Sequence, residues 1–300
     1  MLAAFLTTIL FSLSAISARR LSHFVNGTEA NLVRLLFVAV LLGLWTHFAT
    51  AGISGAAFPL LFASGCIGFG VGDLAMFQAY PRIGARRTIV LIHCLAAPFG
   101  AIAEWLWLGH APTPAQAGFG ILILVGVAVA LLPRKADAQP IHGLSVGISF
   151  GILSALCQGG GAVISRKAYE VAQTAGHPLH GVSDAMNAAW QRVLGGIVIS
   201  AFVFSCLKVA QKTSLPSKRN WAKGWPWMIG TSLAGPALGV TCYQWALISE
   251  KTSIVLPIVA TTPLVVTPMA HFWEGDRITW RTLVGAALAV AGVIGLTLAK

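Results

Sequence analysis

A single offset of 166 residues organises this chain. Phe77-Gln78 returns as Tyr243-Gln244, Gly109 as Gly275, Thr113 as Thr279 and Gly126 as Gly292, with the same succession of apolar segments between them. A duplicated unit constrains the fold more tightly than an isolated motif, since both copies must take the same local structure. The segments are too long and too apolar for a soluble repeat. Hydrophobic residues make up 56% of the chain and charged residues 10%, against about 25% charged in soluble domains, and mean hydropathy is +0.79. A lipid bilayer is the solvent such a surface needs, and α-helices satisfy the rule that backbone polar groups be paired within each spanning segment.

The uncharged stretches predict ten helices, at about 1–18, 31–51, 56–80, 86–108, 115–133, 142–165, 187–207, 225–249, 252–273 and 279–299. They divide into two five-helix units, residues 1–135 and 140–300, joined at the polar segment 133–140. Five is odd, so the second unit must enter the membrane in the opposite sense from the first. The expected fold is an all-α membrane protein, ten transmembrane helices arranged as two inverted five-helix repeats, with a polar site near the bilayer midplane. Spans consume about 200 residues, which leaves no length for an independent soluble domain. The longest expected links are 166–186 and 208–224.

A formal charge of +11 would suit a nucleic-acid partner, but the basic residues are scattered through short links and form no stripe with interleaved aromatics. Topology accounts for them instead. On the ten-helix reading 15 of the 20 Lys and Arg fall on one side, and five (Arg166, Lys167, Arg192, Lys251 and Lys300) on the other. The positive-inside rule then puts the richer side in the cytoplasm and both termini outside, in a cell (inner) membrane. Met1 to Ser17 is apolar with Arg19-Arg20 after it, the reverse of a secretory signal, and is expected to remain as the first helix. Cys66, Cys94, Cys157, Cys206 and Cys242 lie within or at the ends of apolar segments without ligand spacing, so they read as packing residues. No Walker motif is present, and no cofactor or metal is expected.

The run Gly72-Asp73-Leu-Ala-Met-Phe-Gln-Ala-Tyr-Pro-Arg-Ile-Gly84-Ala-Arg-Arg, followed by Pro98, Leu108-Gly109-His110 and Gly118, resembles the first repeat of EamA-type members of the drug/metabolite transporter superfamily. Tyr243 through Ser253, Pro263, Glu274-Gly-Asp276-Arg-Ile-Thr279 and Gly285 are similar to the second repeat. The resemblance implies a ten-helix carrier fold and a transport function, with little information on substrate. Asp276 matches the acidic residue the family carries after its glycine, and His110 replaces it in the first half. The resemblance also implies termini in the cytoplasm, opposite to the charge count.

A charge at mid-membrane costs at least about 2.5–3.5 kcal/mol on insertion scales, so intramembrane polar groups either reach an interface or turn into a cavity. Asp73, Gln78, His93, Gln158, Arg192, Tyr243, Gln244 and Thr262 are the candidates for a substrate cavity. Arg34 and Arg192 sit at equivalent places in the two halves, near expected helix starts, where each could snorkel to headgroups or gate a cavity. Asp73 could exchange protons or pair with an arginine. His93 is equally readable as a packed side chain. Gln158 precedes Gly159-Gly160-Gly161, which either unwinds the helix or permits close packing. Thr261-Thr262-Pro263 either offers hydroxyls to a solute or repairs the carbonyls that Pro263 frees. Gly68 to Gly72 reads as a helix-contact face.

These features favour a secondary transporter that moves small metabolites or amphipathic solutes by alternating access, and not an enzyme. The alternative is an intramembrane serine hydrolase using Ser54, in Gly52-Ile-Ser54-Gly55, with His271 as base; Gly143-Leu-Ser145-Val-Gly147 also fits a nucleophile-elbow pattern. An elbow needs a preceding strand, and one catalytic centre gives no reason for duplication. The expected partners are the bilayer and a small-molecule substrate, with no nucleic acid and a homodimer left open.

Overall fold

The computed structural model describes residues 1–50, 52–53, 55–109, 111–131, 143–177, 179–210, 220–274 and 280–299. Every regular element among them is helical. In order these are α1 (Leu2–Phe24), α2 (Gly27–Ala49), α3 (Phe58–Gly65), a π-helical stretch Cys66–Gly72, α4 (Asp73–Leu108), α5 (Pro114–Leu131), α6 (Leu144–Thr174), α7 (Gly181–Ala210), α8 (Trp221–Ser232), a second π-helical stretch Leu233–Ala237, α9 (Leu238–Ser249), α10 (Thr252–Val259), α11 (Thr262–Glu274) and α12 (Trp280–Leu298). Seven stretches among the described residues are long and apolar enough to cross a membrane. Large apolar side chains such as Phe48, Leu106, Phe202 and Phe272 stand exposed on the outer faces, as lipid permits and water would not. The chain is an integral, multi-pass membrane protein.

Local chemistry sets the helix ends. Asn26 accepts from the Thr28 N–H ahead of α2, and Asn220 accepts from Lys223 ahead of α8, at 3.3 Å. Before α5, Thr113 and Gln116 bond each other's backbone N–H groups at 3.0 and 3.2 Å, a capping box with Pro114 in the first turn. Interior irregularities have equally plain causes. Gly84 takes φ 79° and ψ 166°, kinking α4. Three glycines in Cys66–Gly72 and Pro236 in Leu233–Ala237 weaken the ordinary hydrogen-bond ladder where the helix widens.

The turns alternate between two ends of the bundle. The Asn220 N–H donates to Phe24 O at 3.0 Å, Arg19 donates to Tyr80 O, and Arg20 donates to Trp273 O. These contacts gather the turns after α1, near the α4 kink, before α8 and after α11 at one basic end. At the other, Gln191 donates to Gly52 O at 2.6 Å, and Gln116 reaches Ala299 O at 3.4 Å.

Duplicated positions meet in pairs. A Cβ on Gly126 would lie 2.5 Å from Ala289 N and 2.7 Å from Gly285 O, while one on Gly292 would lie 3.0 Å from Ile123 N and 3.1 Å from Phe119 O. Gly292, Gly285 and Ala289 are the 166-residue counterparts of Gly126, Phe119 and Ile123, so the α5–α12 contact exchanges its partners under the offset. Cys94 Sγ lies 3.9 Å from the carbonyl of Ala260, its own counterpart.

Several expected boundaries shift. The helix placed at 142–165 runs on to Thr174, and the one placed at 187–207 starts at Gly181. Most of the expected 166–186 link is therefore helix, because Arg166, Lys167 and Glu170 end the apolar run without ending helix propensity. The helix placed at 56–80 contains the first π stretch, and that at 252–273 breaks at Ala260–Thr261. Gly159–Gly161 does not unwind: a Cβ on Gly159 would lie 2.7 Å from Ala96 O and 2.9 Å from Gly100 N. Those glycines allow close helix packing. The irregular segment is Gly68–Gly72, which is also the contact face expected of it: a Cβ on Gly70 would lie 2.6 Å from Ile199 Cβ and one on Gly72 2.9 Å from Cys157 Cβ.

Candidate functional site

Both π-helical stretches face one internal space. A cavity of about 90 Å³ lies where α1, α2, α4, α6, α7 and α9 converge on them, enough for several waters or a small solute, since one water needs roughly 10–15 Å³. Its charged lining residues are Arg34, Asp73 and Arg192. His93, Gln158, Tyr80, Tyr243, Ser14 and Ser154 add polar groups, and Phe11, Phe69, Met76, Ile89 and Val240 form an apolar wall.

Arg34 is 2% exposed, and its guanidinium bonds the Asp73 carboxylate and, at 2.8 Å, Asn31 Oδ1. Its Cζ lies 5.0 Å from the Phe77 ring centre, a cation–π contact. Asn31 donates in turn to Phe69 O at 3.1 Å and Ser200 Oγ at 2.9 Å. One amide thus supports the arginine and ties α2 to a backbone carbonyl in the first π stretch.

Arg192 is 5% exposed and its Cζ lies 5.3 Å from the Phe69 ring centre. Nε and Nη1 have no hydrogen-bond partner, and no carboxylate of the described residues lies within ion-pair distance. The Tyr243 hydroxyl, also buried on the cavity wall, is unpartnered as well. The two arginines mirror each other in their backbone surroundings. A Cβ at Gly68, in the first π stretch, would lie 2.9 Å from Arg192 Nη2, and one at Gly235, in the second, 3.6 Å from Arg34 Nη1.

Gln158 Nε2 lies 2.9 Å from His93 Nδ1. The amide N–H can only donate, so Nδ1 accepts and the ring proton sits on Nε2. Phe11 stacks on the same imidazole with centroids 5.7 Å apart.

Of the eight candidates, Asp73, His93, Gln158, Arg192 and Tyr243 line this cavity. Gln78 does not; its Oε1 accepts from Arg82 at 3.0 Å. Gln244 lies fully buried beside it, accepting from the Tyr169 hydroxyl. Thr262 returns its hydroxyl to Val259 O, and Thr261 to Ile258 O at 2.7 Å, the repair of carbonyls near Pro263. Arg34 was weighed as an interfacial anchor and is instead central. The anchor reading fails for both arginines because α2 and α7 begin at Gly27 and Gly181, setting Arg34 and Arg192 two to three turns inside. Tyr80 and Ser154 carried no signal in the sequence. Arg34 did, through its symmetric relation to Arg192.

Above the cavity, at the end bearing Gly52 and Ala299, a vestibule of about 650 Å³ opens between α3, α6 and α7, lined by Asp184, Asn187 and Gln191 among others. A tight layer separates the two. A Cβ on Gly65 would lie 1.8 Å from Arg192 O, and one on Gly195 2.1 Å from Phe62 O; Ser64 bonds Gly161 O at 2.6 Å and Ser165 Oγ at 2.9 Å.

Nothing favours the hydrolase alternative. Ser54 lies outside the described residues, His271 is exposed on α11, and Ser145 is exposed in the first turn of α6.

The model of the EamA-like transporter family matches residues 1–132 and 145–298. A solved crystal structure, described only as that of a protein, superposes with a TM-score of 0.72 over 99% of this chain and 96% of its own, at 16% identity. That similarity concerns the fold alone. No curated protein matches this chain in sequence.

Proposed function

Because the chain belongs to the EamA-like transporter family, within the drug/metabolite transporter superfamily, we propose that it is a secondary carrier of small metabolites or amphipathic solutes, working by alternating access across the cytoplasmic membrane. The observation that carries this reading is the composition of the cavity. Arg34, Asp73 and His93 come from the first family-matched range, and Gln158, Arg192 and Tyr243 from the second. A polar site at the junction of two units is where a carrier holds its cargo.

In this reading α5, α8–α9 and α12 complete ten spans with the seven apolar stretches, and residues 1–135 and 140–300 form inverted halves. The reciprocal contacts of Gly126 and Gly292, and the Cys94–Ala260 approach, support a two-fold axis through the bundle. Two layers flank the cargo site. One is the glycine-packed α3–α6–α7 contact below the vestibule. The other is at the basic end, where Arg19 holds the backbone of Tyr80, itself a cavity residue. Opening them in turn would expose the site to each side without a continuous pore.

The test is solute flux in vesicles reconstituted with purified protein, over a panel of radiolabelled organic anions, cations, zwitterions and neutral solutes. Saturable movement of any member above empty vesicles supports the carrier. No movement of any, with folded protein in the bilayer, refutes it.

A further inference from the structure

The charges on the cavity do not balance. The described lining carries two guanidinium groups and one carboxylate, and the carboxylate is committed to Arg34. Arg192 is left 5% exposed, with Nε and Nη1 unbonded. The face of Phe69 lies against it, and the Asp73 carboxylate, within electrostatic reach, is bonded to Arg34; together these are worth less than the hydration the group has lost. Such a group persists where a partner arrives during the working cycle.

We propose that Arg192 is the docking point for the carboxylate of a small monoanionic, amphipathic solute, which its guanidinium takes while the Tyr243 hydroxyl donates a further hydrogen bond. This rests on the carrier reading of the same cavity and names its cargo class. Three features argue for it together. A guanidinium with unbonded N–H groups matches a carboxylate. One uncompensated positive charge is neutralised by a monoanion and overshot by a dianion. Phe11, Met76 and Ile89, which line the same cavity, offer an apolar surface to the rest of the solute.

Binding is read without transport, from the thermal unfolding midpoint of the purified full-length protein in detergent, titrated at fixed ionic strength. The probes are benzoate, its neutral isostere benzamide, and the dianion phenyl phosphate. Benzoate is expected to raise the midpoint in a saturable way, benzamide not to, and phenyl phosphate to act more weakly than benzoate. In Arg192→Gln the half-saturating benzoate concentration should rise about tenfold to hundredfold, the loss of one charged hydrogen-bonded contact. Arg192→Lys should recover part of it, and Tyr243→Phe should weaken binding severalfold. Tyr243→Phe also serves if Arg192→Gln does not fold. Equal shifts from benzoate and benzamide, a stronger shift from phenyl phosphate, no shift from any probe, or undiminished binding in the variants each overturn the inference.

The flux panel separates this failure from that of the carrier reading. Movement of neutral or cationic solutes without anions sinks the anion inference and leaves the carrier. A benzoate shift lost in Arg192→Gln, with no flux of any solute, leaves the binding site and removes the carrier.

Discussion

The pairing of Arg34 with Asp73 makes a quantitative prediction, because Arg192 sets the charge against which it is judged. Asp73→Asn preserves shape and removes the negative charge, which leaves two buried guanidinium groups and only neutral amide oxygens, that of Asn31 and that of the introduced amide, to bond Arg34. Breaking a buried ion pair from one side costs about 3–5 kcal/mol. Asp73 keeps 19% of its side chain open to the cavity, so the low end, about 3 kcal/mol, applies. Arg34→Gln should cost less, about 2 kcal/mol, since Arg192 is within electrostatic reach of the orphaned carboxylate. The double variant restores the native charge of the cavity and replaces the ion pair by two amides, so its cost should fall to about 1–2 kcal/mol. The expected coupling is thus about 3 kcal/mol or more, and its sign is the decisive feature: the double variant is more stable than Asp73→Asn alone. Equilibrium unfolding in mixed micelles, titrated with a denaturing detergent, measures all four proteins. An Asp73→Asn variant within about 0.5 kcal/mol of native, or costs that simply add, would refute the pairing and the charge balance built on it.

Other outcomes follow from the packing and the topology. Gly195→Ala places a methyl 2.1 Å from Phe62 O and should destabilise by about 1–3 kcal/mol by overpacking, with reduced flux; unfolding midpoints and vesicle uptake check both. Gly126→Ala and Gly292→Ala occupy exchanged positions of one contact and should cost similar amounts, within about 1 kcal/mol of each other, while Gly160→Ala, which meets nothing within 4 Å, should be neutral or stabilising. Gln158→Leu leaves His93 Nδ1 unbonded and should cost about 1–3 kcal/mol in the same unfolding assay. If the ten-span layout holds, 15 of 20 basic residues lie on the side away from the termini, and an alkaline phosphatase fused after Lys300 should be active; inactivity, with a fluorescent protein bright in its place, reverses the orientation.

Some of this was legible in the sequence because the physics is local. An apolar run long enough to span lipid announces a helix, and the 166-residue offset announces that helices come in related sets. Cavity residues were legible where a polar group is costly, hence Asp73, His93 and Arg192. Helix extent was not, because Arg166 and Lys167 end an apolar run while remaining good helix formers. A late expected start for the second helix likewise left Arg34 open to an anchor reading, since its depth depends on α2 starting at Gly27. The π-helical segments were also hidden. Glycines look the same whether or not the helix they pack also widens: Gly70 and Gly72 pack on Ile199 and Cys157 within a π-helical stretch, while Gly159 packs on Ala96 and Gly100 within a regular helix.

The 166-residue offset also bears on why Arg192 stays unpaired. Arg34 owes its neutralisation to Asp73, and the 166-residue counterpart of Asp73 is Gly239. No acidic side chain fits there. A Cβ on Gly239 would lie 2.3 Å from Ala234 O and 2.9 Å from the Phe11 ring, so the second π stretch and α1 close the position. A second internal carboxylate at the position that matches Asp73 is therefore barred by backbone packing and not only by the choice of residue. Gly239→Asp accordingly should not restore balance: it should destabilise more than Gly239→Ala does, and neither should protect Arg192. If Gly239→Asp instead folded with native stability and abolished benzoate binding, a carboxylate would have reached Arg192 from within, and the packing argument would be wrong even though the anion site would stand.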